Sequence, residues 1–181
     1  MSTLSQPPRA VVVIGILSHD EAVARRVRGI IERRYGTITH TLSYPFSHSA
    51  YYEAEMGGGL VKTLWVFDKL MRRERIVDMK RFAVKLERRF SRDNKRVINI
   101  DPGLLTLENF ILATGKNFSH RVYLGRGVYV DLTLIYSSAE KRYGTLPWTY
   151  PDFSLEPVIA FLNGVRKDNA SRLKHRYGVT A

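Results

Sequence analysis

The sequence predicts a single α+β domain with a ferredoxin-like βαββαβ core, extended by a short helix, a β-hairpin and a C-terminal helix. Three observations lead to this fold class. The chain has 181 residues, which suit one domain. Its composition, 44% hydrophobic and 25% charged, is that of a globular protein. Its apolar patterns follow the order strand, helix, strand, strand, helix, strand.

The first elements follow from local patterns. Residues 1–8 are polar, so we expect a mobile lead-in before a domain that spans residues 9–178. The β-branched run at 9–17 predicts a buried strand. Ser18 to Glu21 has the spacing of a capping box and predicts the start of a helix that ends at Gly36.

The remaining elements are predicted in the same way. Asp101-Pro102-Gly103 is a turn sequence, and we expect it to end the last core strand. The other predicted elements are strands at 37–44, 60–67 and 97–100, a basic helix at about 74–93, a short helix at 106–114, hairpin strands at 121–124 and 128–136, and a C-terminal helix from Ser154 to before Gly178.

The formal net charge of +12 lies in two segments. Residues 69–96 carry twelve basic and four acidic side chains, and residues 164–177 carry five and one. Both segments read as helices. Such basic faces occur as binding surfaces for RNA or another polyanion, and also as solvated faces that only keep a protein soluble.

The composition also bears on location and chemistry. The longest apolar run, about residues 10–17, is far shorter than the roughly 20 residues that span a bilayer. We therefore expect a cytoplasmic protein without a membrane partner, and the oligomeric state stays open. The absence of cysteine excludes a disulfide scaffold, a thiol nucleophile and a cysteine-ligated metal.

A long loop at residues 44–59 is the first candidate for a site. It joins two predicted strands that a much shorter turn would connect. Tyr51 and Tyr52 can stack on a base, and Glu53 and Glu55 can bind a metal or act as a general base. The same residues equally fit a loop pinned by its tyrosines, with glutamates in water.

A basic cluster near residue 120 is the second candidate. Lys116, Arg121 and Arg126 can clamp a phosphate, and His120 can act as acid or base. Asp101 can take a proton or bind a metal. A solvated turn with one structural histidine is the alternative.

The remaining aromatic, acidic and histidine residues do not identify a cofactor. Trp148 and Tyr150 lie in an aromatic loop that either walls a pocket or packs under the C-terminal helix. Asp101 either caps its turn or pairs with Asp131 as a metal site. The histidines lack the spacing of a zinc site, so both metal and cofactor stay unknown.

These candidates support three hypotheses: a module that binds RNA or a nucleotide, an enzyme acting on a phosphorylated or nucleotide substrate, and a protein-interaction subunit without chemistry. The enzyme hypothesis takes as catalytic residues His120, Asp101 and Glu53. The predicted ligand-binding residues are Tyr51, Tyr52, Lys116, Arg121, Arg126, Trp148 and Tyr150.

Four motifs also resemble those of a known family. They are YYEAEMG at 51–57, NIDPG at 99–103, FSHRVYLG at 118–125 and LPWTYPD at 146–152. Together they resemble a prokaryotic family catalogued as domain of unknown function 4416, over residues 9–177. The resemblance implies no activity. Some members carry the label GTP-binding protein, but Phe110 and Asn117 stand where a P-loop needs glycine and Ser or Thr.

Overall fold

The α+β class is confirmed by the computed structural model, which describes residues 3–46, 52 and 55–174. Within these residues, eight strands form one antiparallel sheet. The strands are β1 (Ala10–Ser18), β2 (Ile38–Pro45), β3 (Val61–Met71), β4 (Asn99–Leu105), β5 (Asn109–Thr114), β6 (Arg121–Gly125), β7 (Val128–Ser137) and β8 (Arg142–Thr145). The helices are α1 (Glu21–Tyr35), α2 (Ile76–Phe90), α3 (Glu156–Asp168) and α4 (Ala170–Lys174), with 3₁₀ turns at Arg73–Arg75 and Pro151–Ser154.

The ferredoxin-like topology is not confirmed, because the strand order differs. The order is β2-β3-β1-β4-β5-β7-β6, and β8 also pairs with β7. A four-stranded core would leave β4 at an edge, whereas here β4 pairs with both β1 and β5. The second half of the chain therefore continues the same sheet instead of being added to a closed core.

The predicted short helix at 106–114 is wrong, because this segment contains strand β5. Phe110 and Leu112 pack on one face of the sheet, and Ile111 and Ala113 pack on the other. A short apolar run that is buried on both faces has no periodicity that separates a strand from a helix.

The predicted turn at Asp101-Pro102-Gly103 is also wrong, because β4 runs through it. Pro102 is tolerated because β4 pairs with β5 only from Gly103 onward, which leaves one side of the strand unpaired at the proline. Gly103 is required for close packing. A Cβ at this position would lie 2.8 Å from the carbonyl oxygen of Ile111 and 2.9 Å from the Phe110 ring.

Two helix starts differ from the prediction. Asp20, rather than Ser18, caps α1, because its carboxylate accepts the backbone N–H of Val23 at 2.9 Å. The Ser18 hydroxyl instead accepts the N–H of Asp20. The residue before α3 is Leu155, which follows a 3₁₀ turn that ends at Ser154.

Helices cover both faces of the sheet around β1. On one face, Val12 and Ile14 of β1 belong to a core that contains α1 and α2. On the other face, Val11 and Val13 pack in a core with Phe153 and α3. At β1 the sheet therefore has no open face, because α3 and Phe153 cover the side that α1 and α2 leave. None of the described helices is long and apolar enough to cross a membrane.

Candidate functional site

A cavity of about 330 Å³ lies where β4 and β5 separate. The two strands pair only through residues 103–105 and 110–112, so their other ends diverge. Asn99 and Asp101 of β4 line one side, and Ala113 and Thr114 of β5 line the other. The separation lets side chains of α2, which packs on one face of the sheet, contact groups on the other face.

Two buried lysines share one carboxylate in this cavity. Lys62 is 4% exposed, and its ammonium donates to Asp101 Oδ2 at 3.1 Å. Lys80 of α2 is 8% exposed and donates to Asp101 Oδ1 at 3.4 Å and to the carbonyl of Ile100 at 3.0 Å. Asn99 also donates to Asp101 Oδ2, at 2.8 Å.

These contacts fix the charge state of the pair. Burial acts to raise the pKa of Asp101, but Lys62 and Lys80 outweigh it and hold that pKa at about 2. Burial acts to lower the pKa of Lys62, but Asp101 and then Asp152 outweigh it and raise that pKa. At neutral pH the cavity therefore holds the ionised carboxylate of Asp101 beside the charged ammonium group of Lys62.

The lysines offer more donors than the protein accepts. Each ammonium group has three N–H donors, which gives six in all. The described residues accept three of them, one from Lys62 and two from Lys80. Lys62 also lies 6.0 Å from the ring centre of Phe46 and 5.8 Å from that of Phe153, and these rings accept only weakly. The remaining donors suit an oxygen-rich anion.

The other carboxylates of the wall have partners of their own. Glu87 accepts the backbone N–H of Ile100 at 2.7 Å, and burial raises its pKa against the opposing effect of Lys80. Asp152 accepts the hydroxyl of Tyr44 at 3.3 Å. Burial, and then the charge of Asp152, raise the pKa of that tyrosine, so it stays a neutral donor.

Arg96 fastens one rim of the cavity. Its Nε donates to Glu55 at 2.8 Å, its Nη2 donates to the same carboxylate, and its Nη1 donates to Asn99 at 2.8 Å. The Arg96 hydrogen bonds lower the pKa of Glu55 and raise the pKa of the guanidinium. The guanidinium also lies over the ring of Tyr52, at 5.6 Å from its centre. Tyr52 is thereby held at the cavity wall.

A second charged cluster surrounds Asp131, which is 1% exposed. Its Oδ2 accepts from His120 Nε2 at 3.0 Å and from Arg121 Nε at 3.2 Å. The His120 ring stacks on Trp148 with 5.3 Å between centres and 6° between planes. Arg121 also donates to the hydroxyl of Tyr150. These contacts hold the imidazole ring in one position through its Nε2, and the ring nitrogen Nδ1 takes no part in them.

The structure brings some of the predicted site residues together. Asp101, Lys116, Tyr52 and Tyr150 all line the cavity. His120 and Arg121 reach it indirectly, through the cavity residue Asp131, and Trp148 contacts His120.

Other predicted residues do not join this group. Arg126 lies elsewhere, at the β6–β7 turn, where it donates to Asp78 at 3.0 Å. Tyr51 and Glu53 fall outside the described residues. In the described part of the chain, no group of three or more His, Asp or Glu side chains could hold a metal ion. The suggested metal ligands Asp101 and Asp131 are instead each held by cations.

The sequence prediction missed the two lysines of the cavity. Lys62 alternates with the buried residues Leu64 and Val66 of β3, so it occupies an inward position. Lys80 follows Ile76 by one helical turn on the apolar face of α2. One signal in the sequence could have identified them: each is a single charged residue at a position where the apolar pattern places a buried side chain.

The chain is thus an α+β domain with a charged, largely buried cavity. A family model described as domain of unknown function (DUF4416) matches residues 8–168, and the chain belongs to this family. The predicted resemblance is confirmed. Neither the curated proteins nor the solved structures contain a significant match to this chain.

Proposed function

We propose that the cavity binds a small molecule with a phosphate or similarly compact anionic group. The observation that carries this proposal is the surplus of N–H donors on Lys62 and Lys80, both of which are buried. A buried donor without an acceptor costs about 1–3 kcal/mol, and more when it is charged. An anion between the two ammonium groups removes this cost and forms charge-assisted hydrogen bonds.

The remaining walls suit a flat, partly apolar group on the same ligand. Phe46, Tyr52, Tyr150 and Phe153 line the cavity beside the lysines. Aromatic rings of this kind stack on planar groups such as nucleobases. The volume of about 330 Å³ is near the lower end of the range for small-molecule sites, which supports a mononucleotide or a phosphorylated metabolite rather than a polymer.

Isothermal titration calorimetry tests the proposal. The purified protein is titrated with inorganic phosphate, mononucleotides and ribose 5-phosphate, and with the uncharged nucleosides as reference. We expect the phosphorylated compounds to bind and the nucleosides to bind far more weakly. Recovery of each ligand unchanged after incubation separates binding from turnover.

Two variants assign the binding to the cavity. Lys62→Met keeps the length of the side chain and removes the ammonium group, and we expect it to weaken binding by about 10- to 100-fold. Lys80→Met gives a second, independent readout from another element. Lys141→Met is the matched control, because Lys141 is exposed and lies outside this cavity. Equal affinities in all four proteins, or binding of none of the compounds, contradict the proposal.

A further inference from the structure

Helices α1 and α2 form one continuous surface on the sheet face opposite α3. The two helices share a core, and two arginines of α1 reach across to aromatic rings of α2. The guanidinium of Arg34 lies 4.5 Å from the ring centre of Phe82, and that of Arg26 lies 5.4 Å from the ring centre of Phe90. The helices therefore run antiparallel and side by side. We call their solvent-exposed side the α1–α2 surface.

This surface is strongly basic. Together α1 and α2 contain ten basic and four acidic residues. Among the described residues, seven exposed basic side chains of these helices form no ion pair with a carboxylate. They are Arg26, Arg33, Arg34, Arg81, Lys85, Arg88 and Arg89. Of the four acidic residues, Glu21, Glu32 and Asp78 are each engaged with arginine, and Glu87 is buried at the cavity.

The chemistry of the surface favours phosphodiesters over a lipid bilayer. Helices that lie in a membrane interface bury exposed apolar side chains in the lipid. In the described part of α1 and α2, no large hydrophobic side chain is exposed. In addition, α1 carries five arginines and no lysine. Arginine binds phosphate oxygens through two parallel N–H donors, which suits a backbone of phosphodiesters.

We propose that the α1–α2 surface binds the phosphate backbone of a nucleic acid without sequence preference. Sequence readout needs side chains that reach base edges, whereas this surface offers mainly cations for the backbone. The proposal goes beyond the function of the cavity and rests on different side chains. The cavity residue Lys62 lies on the core face that packs with α3, on the other side of the sheet.

Fluorescence anisotropy across a salt series tests the proposal. The probes are labelled single-stranded RNA, duplex RNA and duplex DNA of equal length and two unrelated sequences. If four of the seven cations contact phosphates, affinity falls roughly 50- to 150-fold between about 50 and about 200 mM salt. We expect similar affinities for the two sequences, and comparison of the three probes identifies the preferred nucleic acid.

A triple variant assigns the binding to this surface. Arg81→Gln, Lys85→Gln and Arg88→Gln together remove three exposed charges of α2. We expect the slope of log affinity against log salt to become shallower by about 2–3. The matched control removes the same net charge elsewhere through Lys141→Gln, Lys167→Gln and Lys174→Gln, all of which are exposed. We expect the control to retain most of the slope.

The outcomes separate the alternatives. Binding that ignores salt, or an equal loss in the triple variant and its control, overturns the proposal. Binding to vesicles of phosphatidylserine without binding to any nucleic acid overturns it too, in favour of a membrane. Lys62→Met distinguishes the two proposals, because we expect it to weaken ligand binding in the cavity by about 10- to 100-fold and to leave nucleic acid binding unchanged.

Discussion

Replacement of Asp101 by asparagine tests the charge arrangement of the cavity directly. The change leaves Lys62 and Lys80 buried without their shared carboxylate. Removing one partner of a buried ion pair costs about 3–5 kcal/mol. The Asp101 side chain is 24% exposed, so we expect a loss in the free energy of unfolding near the lower end, about 3 kcal/mol. For a domain of this size the midpoint temperature then falls by about 6–12 °C.

The pKa of Asp101 gives a second route to the same magnitude. It is held at about 2 in the folded protein, against an ordinary value of 3.8. A difference of nearly two units corresponds to about 2.5 kcal/mol of stability. Because the folded-state pKa is the lower one, this stabilisation is complete above about pH 5 and is lost as the pH falls through 2. Asparagine does not titrate in this range.

Urea unfolding at a series of pH values measures both effects. Tryptophan fluorescence reports the transition, since Trp65 is buried in β3 and becomes exposed on unfolding. We expect the difference between the wild-type protein and Asp101→Asn to be about 3 kcal/mol at pH 7 and to shrink as the pH approaches 2. A difference below about 0.5 kcal/mol at pH 7, or one that grows on acidification, would refute the reasoning. Inorganic phosphate should stabilise the variant more than the wild type, because the anion then replaces the missing carboxylate.

Two further predictions concern packing. Gly103→Ala should lower the free energy of unfolding by about 1–3 kcal/mol, because the added Cβ meets the Ile111 carbonyl and the Phe110 ring. Urea unfolding measures this loss, and a variant as stable as the wild type would contradict the prediction. Phe153→Ala should lower the free energy of unfolding by about 3–5 kcal/mol, because it opens a cavity under α3. Phe118 is exposed, so Phe118→Ala should change the thermal midpoint very little. Equal midpoints for the two variants would count against this core.

The sequence predicted the elements whose periodicity is unambiguous. β1 is an uninterrupted apolar run, and α2 has a clear apolar stripe, so both appear close to their expected positions. β5 was missed because burial on both faces removes the alternation that identifies a strand. The strand order could not be read either, because it depends on which edge of the existing sheet accepts β5.

The candidate site was predicted only in part, and periodicity again decided which residues were found. Asp101 stood out because it lies in a polar motif that lacks periodicity. Lys62 and Lys80 lie inside regular apolar patterns, where a single charge reads as an interruption. The basic surface was also underestimated. A charge count along the sequence treats α1 and α2 as two separate segments, and only the fold places Arg34 of one helix against Phe82 of the other.

Helix α2 contributes to both proposed binding sites. Two neighbouring residues of this helix, whose side chains point about 100° apart, take part: Lys80 is buried at the cavity, and Arg81 is exposed on the α1–α2 surface. A ligand that displaces this turn of α2 at one site therefore also displaces a cation of the other site. Any such displacement couples the two binding equilibria, and the coupling is reciprocal. The factor by which a cavity ligand changes nucleic acid affinity must equal the factor by which nucleic acid changes affinity for that ligand.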